Sequence, residues 1–249
     1  MNEVLKKRPS RKFLWSHQST LHRTLVRIAN QILLIIPFKL KYAVCVNLKK
    51  NSPPYSLVKG AVVVQVGAPF DTLEAGRSRG MIFSHLVGTN GKVVVVEPLH
   101  DSVVKMNSRL EQCRLNNTLV IESGAWFEKC TSYINVDMNH PATNFTDTTV
   151  DYDQDRASEF EKVSVSLDTL DNLIEKNEIG LDQVELVSIT TNWAEEEILR
   201  GMSRMIAAGV KYICLAYGKN GEEYGELMSS YGYTALSHDD RGVTYMRQA

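Results

Sequence analysis

Two hydrophobic rhythms divide the chain. From about Ser19, the residues Leu21, Leu25, Ile28, Ile32 and Ile35 recur at spacings of three and four, one face of a helix that Pro37 ends. Residues 1–16 are charged, contain Pro9 and have no period, so they are expected to be disordered. The stretch Asn51-Ser52-Pro53-Pro54 reads as a linker. After Gly60 the rhythm changes to short apolar runs alternating with helical segments. Ala61–Val66 and Val93–Val96 are continuous apolar runs, the pattern of strands buried on both faces. Helices are predicted over Thr72–Val87, from an Asp101 cap to about Leu115, and over Leu167–Lys176, Ala194–Ala208 and Glu222–Tyr231. Further strands are predicted at Leu119–Ile121, within Trp126–Val136, and at Val163–Ser166, Val184–Ile189 and Tyr212–Ala216. A closing hairpin pairs Tyr233–Leu236 with Val243–Arg247 across "SHDDRG". Residues 137–161 are polar and acidic and read as a long loop, either a lid or disordered.

Alternating β and α with short links predicts an α/β fold: a Rossmann-like, mainly parallel, doubly wound sheet closed by an antiparallel hairpin. Its 249 residues suit a basic N-terminal arm with an amphipathic helix (1–50) followed by one α/β domain (51–249). Charge sharpens that division. Residues 1–50 hold eleven Lys and Arg against the single acid Glu3, whereas the rest of the chain holds 17 basic and 28 acidic residues. The apolar run Ile32–Ile36 stops at Pro37, far short of the ~20 apolar residues a membrane span needs, and no cleavage site follows it. A cytoplasmic or membrane-peripheral location is expected. The helix at 19–36, with Arg23 and Arg27 on its flanks, suits an anionic membrane surface, a second subunit or the body itself. The arm lacks interleaved aromatics, so no nucleic acid is expected as a partner. Cys45, Cys113, Cys130 and Cys214 have neither disulfide nor zinc spacing, and read as free thiols of a reducing compartment. No metal is expected. The alternating acids Asp151, Asp153 and Asp155 lack the glycine and distal glutamate of a calcium loop.

The candidate chemistry lies at strand ends. In "VVVQVGAPFDTLE", Val62 to Glu74, Gly67 follows a buried strand where a ligand can approach the main chain. Glu97 ends the next strand, where a carboxylate can accept from ribose hydroxyls. A diphosphate-binding loop would continue with glycines and free N–H groups. Here Pro69 removes a donor, and Asp71 sets a negative charge at the helix start. That argues against NAD and FAD, favours a ligand with ammonium or sulfonium charge, and points toward S-adenosylmethionine as cofactor.

The assembly of motifs from Gly60 to about Gly201 resembles the FkbM family of class I methyltransferases. The family's opening strand, acid and Gly-Ala-Asn-x-Gly correspond to "VVVQVGAPFD", where Gly67 and Ala68 match while Gln65, Pro69 and Asp71 depart. "GKVVVVEP" (Gly91–Pro98) matches, as does "RLNNTLVIESGAW", and Leu167 and Asp168 of "VSVSLDTL" match the next motif. The family's I-D-V-E-G-A-E-x-x-x-L-x-G runs in register with "ITTNWAEEEILRG". Thr190 and Asn192 replace its two acids and Trp193 its glycine, whereas Ala194, Glu195, Leu199 and Gly201 are kept.

The resemblance implies a cofactor site. Gly67, Ala68 and Pro69 would lie against the methionine moiety, with Asp71 and Thr72 near its amino group. Glu97 would hold the ribose, Pro98 or Leu99 would flank the adenine, and Ser123, Gly124, Ala125 and Trp126 would line its other edge. For Trp126, core packing is the commoner use. Arg77 and Asn192 are the substrate-binding candidates, Arg77 competing with a salt bridge to Asp71 or Glu74. Arg79 is expected on solvated helix surface or in such a bridge. Glu195 and His140 are the candidate bases. Asp168 reads rather as a helix N-cap, and His85 and His100 as packing or surface residues. Three functional classes follow. The first is methyl transfer to an oxygen of a small molecule, sugar or glycan. The second is a methyltransferase fold that binds cofactor or partner without turnover, and the third a membrane-peripheral scaffold.

Overall fold

The computed structural model describes residues 36–137, 145–146, 160–191, 193–217 and 223–248. The helix expected at 19–36, the acids Asp151, Asp153 and Asp155, His140 and Asn192 lie outside the described residues, apart from Ile36. Seven strands form the central sheet: β1 (Val62–Val66), β2 (Lys92–Glu97), β3 (Thr118–Glu122), β8 (Val184–Ile189), β9 (Tyr212–Ala216), β10 (Tyr233–His238) and β11 (Gly242–Arg247). They run in the order β10-β11-β9-β8-β1-β2-β3. β3, β2, β1, β8 and β9 are parallel, and β11 inserts antiparallel between β9 and β10.

The valine runs explain the sheet's depth. Val63, Val64 and all four valines at 93–96 are fully buried, and β-branched side chains pack well on a pleated surface covered on both faces. Alternate residues serve different cores. Val64, Val66, Val94, Val96, Val187 and Ile189 join one, while Val63, Val93, Val95, Leu186 and Cys214 join the other.

The helices are α1 (Phe38–Lys49), α2 (Phe70–Glu74), α3 (Arg79–Leu86), α4 (His100–Cys113), α5 (Leu170–Glu175), α6 (Glu195–Arg200), α7 (Ser203–Ala208) and α8 (Gly225–Ser230). Two predicted helices are each broken in two. Thr72–Val87 becomes α2 and α3, with residues 75–78 folding against α1. Ala194–Ala208 becomes α6 and α7, parting at Gly201, which lies so close to the main chain of Trp126 that a Cβ there would sit 1.9 Å from its carbonyl oxygen. Asp101 is not a cap. Leu99 precedes α4 without a side-chain bond, and Asp101 sits in the first turn, where its charge suits the helix dipole. Nor is Asp168 a cap. It lies in a strand, and Thr169 caps α5 by accepting from the Asn172 N–H at 3.2 Å.

A second sheet differs from the single one expected. β4 (Gly124–Trp126), β5 (Cys130–Asp137), β6 (Phe145–Thr146) and β7 (Phe160–Thr169) run in the order β4-β7-β5-β6. The predicted short strand at 163–166 is the middle of the ten-residue β7, paired antiparallel with all of β5.

The last part of the basic arm belongs to the body. Phe38, Tyr42 and Val46 of α1, spaced by four, are buried, and the Tyr42 hydroxyl donates to the Met81 carbonyl at 2.8 Å. The opposite stripe, Leu40, Val44 and Leu48, is exposed. All four cysteines are free. Among the described residues, no helix is long and apolar enough to cross a membrane.

Candidate functional site

The sheet order reverses at β1, with β2 on one side and β8 on the other, so the crevice expected for a ligand opens at the carboxyl ends of β1 and β8. Gly67 leaves β1 there at φ +85°, in the left-handed region, and a Cβ on it would lie 2.6 Å from the Thr190 carbonyl oxygen. Only glycine satisfies both conditions. The two strand ends are also bonded together. The Thr190 N–H donates to the Val66 carbonyl at 3.0 Å, and the fully buried Gln65 donates through Nε2 to Thr190 Oγ1 at 2.7 Å and to the Gly67 carbonyl at 2.9 Å. Gln65 Oε1 is buried without a partner among the described residues.

Glu97 closes the other side of the turn. It is 5% exposed at the end of β2. Its Oε2 accepts from the Ala68 N–H at 2.6 Å and its Oε1 from the Leu99 N–H at 3.0 Å. Burial pushes the carboxyl above the ordinary carboxylate range, against the opposing pull of those two N–H groups.

The remaining cofactor candidates divide. Gly67, Pro69 and Asp71 are partly accessible, as are Pro98 and Leu99 beyond Glu97. Ala68 is buried and reaches the crevice through its main chain. Thr72 is also buried, and its hydroxyl donates to the Pro69 carbonyl at 2.7 Å. Asp71 Oδ2 meets Arg77 Nη2 at 3.3 Å, while its Oδ1 is buried without a partner among the described residues. Ser123, Gly124, Ala125 and Trp126 are buried. The Ser123 hydroxyl donates to the Ser166 carbonyl at 3.2 Å. Trp126 is buried and packs with Ile134, Val165 and Leu167 of the second sheet, so this indole is core.

Glu195 opens α6 and is completely buried. It accepts from Thr191 Oγ1 at 3.0 Å and from the Tyr224 hydroxyl at 3.3 Å. Burial raises its pKa to about 7 despite those hydroxyls. Between Thr191 and Glu195, Trp193 holds φ +71°. The tryptophan therefore keeps a left-handed backbone at the position where the resemblance puts glycine. Contacts run continuously from Glu97 through Ala68 and Gly67 to Thr190, and on through Thr191 to Glu195.

The two arginines part company. Arg77 is exposed and pairs with Asp71. Arg79 is neither solvated nor paired with Asp71 or Glu74. It is 5% exposed, with Nη2 2.5 Å from Asp239 and Nη1 3.3 Å from Ser188 Oγ. Asp168 is tied to Thr169 N–H, Asn172 and Lys176, which hold it below the usual carboxylate range despite its desolvation. His85 packs edge-on to Tyr42, and His100 reaches Glu122 at 3.1 Å on the surface. Among the described residues, no cluster of three His, Cys, Asp or Glu side chains could hold a metal ion. The sequence reading missed Gln65, Thr191 and Tyr224. Only the adjacent hydroxyls Thr190-Thr191 at a strand end hinted at this part of the site.

No family model matches the chain, and no curated protein matches it. Solved structures do. A methyltransferase FkbM from Methylobacillus flagellatus KT superposes with a TM-score of 0.50 at 12% identity, over 79% of this chain and 47% of that one. This chain thus spans about half the length of that protein. A methyltransferase from Geobacter sulfurreducens gives a TM-score of 0.45 at 12% identity over 99% and 100% of the two chains. A SAM-dependent methyltransferase from Aquifex aeolicus gives 0.41 at 15% identity over 85% and 92%. The fold is the α/β fold of class I methyltransferases.

Proposed function

We propose that the chain transfers a methyl group from S-adenosylmethionine to an oxygen of a small molecule, sugar or glycan. The observation that carries this reading is Glu97, a buried carboxylate at the end of β2, bonded to the turn after β1 beside the switch point. Each of its oxygens accepts one N–H and keeps a second lone-pair direction, enough for a pair of ribose hydroxyls.

The residues around it suit this cofactor better than a dinucleotide. Pro69 offers no N–H, and α2 is a single short helix with Asp71 in its first turn, so a diphosphate would meet negative charge. The unpartnered, buried Oδ1 of Asp71 suits an ammonium group instead. When bound, the cofactor supplies a methyl group activated by its sulfonium. The Gly67 turn lets main chain border it, and Pro98 and Leu99 stand where the adenine would lie. Glu195 would accept the acceptor's hydroxyl proton on a carboxylate oxygen. With a pKa raised to about 7, it is populated in both forms near neutrality, as a general base requires. Thr191 and Tyr224 hold its orientation.

Titration calorimetry with S-adenosylmethionine and S-adenosylhomocysteine tests the reading. Micromolar binding by the wild type, weakened at least tenfold in Glu97→Gln, is expected. Absence of saturable binding by the folded wild type at millimolar ligand would sink it.

A second reading, cofactor binding without turnover, draws on one feature. At Thr190, where the resemblance puts an acid, a hydroxyl is bonded to Gln65 across the crevice. Tight cofactor binding combined with no methyl transfer to any hydroxylated acceptor in a broad screen would favour it.

A further inference from the structure

We propose that Arg77 and Arg241 form a subsite for an anionic group, a phosphate or a carboxylate, carried by the molecule that receives the methyl group. The acceptor role rests on the methyl-transfer reading above; the binding of an anion does not.

The subsite is built on the turn between β10 and β11, at residues 239–241. Because β11 runs antiparallel to β9, with Gly242 opposite Ala216, this turn stands beside the carboxyl end of β9, at the same edge of the sheet as Gly67 and Glu97. The Tyr217 N–H donates to the Arg241 carbonyl at 3.1 Å and joins the turn to that edge. Asp239 fixes its shape. Its Oδ1 accepts from the N–H groups of Arg241 at 2.7 Å and Gly242 at 3.0 Å, and its Oδ2 accepts from the buried Arg79.

The nearby acids are thereby taken. Asp239 is bound to Arg79, Asp240 to Lys49 at 2.7 Å, and Asp71 to Arg77 at 3.3 Å. The guanidinium of the half-buried Arg241 has no hydrogen-bond or carboxylate partner among the described residues. It is also crowded by its own kind. Burial first, then the charges of Arg79 and Arg77, push its pKa down, against the smaller opposing pull of Tyr55 and Asp240. A guanidinium stays protonated regardless, so a bound anion would relieve this crowding. Arg79 adds a second unmet need, since its Nε is buried without a partner among the described residues. Arg77 can be recruited cheaply. Its pair with Asp71 is long and half-exposed, the kind of ion pair that contributes little. A ligand oxyanion that draws Arg77 away also frees Asp71, which faces the cofactor turn. Lys49, the last residue of α1, pairs with Asp240, so the subsite lies at the seam between α1 and the sheet edge.

The test is a titration of the full chain with inorganic phosphate and, separately, with acetate, followed by amide chemical shifts in wild type, Arg241→Gln and Arg77→Gln. Saturable shifts at residues 77–79 and 239–242 are expected with one of the two anions, which assigns the class. Arg241→Gln should weaken that binding at least tenfold and Arg77→Gln severalfold. Thermal unfolding should show Arg241→Gln as stable as wild type or more so, since it removes repulsion. Absence of saturable shifts with either anion, or equal affinity in Arg241→Gln, would overturn the proposal. S-adenosylhomocysteine binding, measured on the same samples, separates the two readings. Arginine-dependent anion binding without cofactor binding would leave the subsite standing and remove the methyl-transfer reading.

Discussion

Glu97 and Glu195 are both buried carboxyls at the carboxyl edge of one sheet, and burial raises the pKa of both. Their partners differ in kind. Glu97 is held by two main-chain N–H groups, from Ala68 and Leu99. An amide N–H can only donate, so both Glu97 oxygens serve as acceptors, and these two bonds favour the ionised form against the burial that opposes it. Glu195 is held by two hydroxyls, from Thr191 and Tyr224. A hydroxyl rotates to donate or accept, so the same cage tolerates the protonated and the ionised acid. The first arrangement suits a fixed acceptor of hydrogen bonds and the second a group that exchanges a proton. Environment assigns different work to two chemically identical side chains.

The largest effect should come from Glu97. Replacing it with alanine strands the Ala68 and Leu99 N–H groups, at about 1–3 kcal/mol each. Urea unfolding of Glu97→Ala is expected to show a loss of about 3 kcal/mol or more. Glu97→Gln keeps one acceptor oxygen but turns an NH₂ toward the other donor, so its loss should be smaller. Equal stability of wild type and alanine variant would mean that water replaces the carboxylate, and the contrast with Glu195 would fail.

Glu195 should respond to pH in a way that Glu97→Ala does not. Its folded pKa of about 7 stands above the reference value of 4.5. Between those values the folded state binds more protons than the unfolded state, so stability falls as pH rises from about 4.5 to 7. Above that window the buried charge costs on the order of 3 kcal/mol at most. Glu195→Gln removes the penalty. Its thermal midpoint relative to wild type should therefore rise from pH 5 to pH 8, while methyl transfer, if Glu195 is the base, should drop by a factor of about 10²–10⁴. A stability difference that does not change with pH would show that Glu195 does not titrate in this range.

How much of this pair could be read from the chain follows from distance along it. "GKVVVVEP" announces both a doubly buried strand and the acid at its end, because each valine's burial is written locally and Glu97 simply follows. The seven-stranded sheet was legible for the same reason. The second sheet was not. β7 alternates polar and apolar residues, and its ten-residue length is set by pairing with β5 along Phe160–Leu167 and with β4 along Leu167–Thr169, both distant in the chain. The surroundings of the acids were hidden in the same way. Gln65 meets Thr190 across 125 positions, Tyr224 meets Glu195 across 29, and Arg79 meets Asp239 across 160. Glu195 could be named as a candidate from its register in "NWAEEEILRG", but nothing local reveals that it is buried or what bonds it. Arg79 read as surface because its neighbours in sequence are polar, whereas its burial comes from the β10–β11 turn.

Thr191→Val sharpens the comparison at a smaller scale. The Thr191 hydroxyl lowers the Glu195 pKa by donating to its Oε1. Valine keeps the shape and removes the donor, so the pKa should move up by as much as about one unit, for a bond of about 1 kcal/mol. The carboxyl resonance of Glu195, followed by NMR against pH, is the direct readout. A downward shift would contradict the assignment of Thr191 as donor.

The smallest effect concerns the backbone that carries Glu195 into its cage. Trp193 sits at φ +71°, two residues before it, where the resemblance puts glycine. A side chain in the left-handed region costs about 1–2 kcal/mol, so the turn that aims Glu195 is held against that strain by the rest of the fold. Comparing Trp193→Ala with Trp193→Gly isolates the backbone term, since both variants lose the indole and its contacts. The glycine variant should be the more stable by about 1 kcal/mol, the ordinary difference between these residues at positive φ, and chemical denaturation can resolve it. If alanine proves equal or better, the turn relaxes out of the left-handed region once the indole is gone. The indole's packing, rather than the chain around it, would then impose the conformation, and the Glu195 cage would depend on a single aromatic side chain where the Glu97 cage depends on main chain alone.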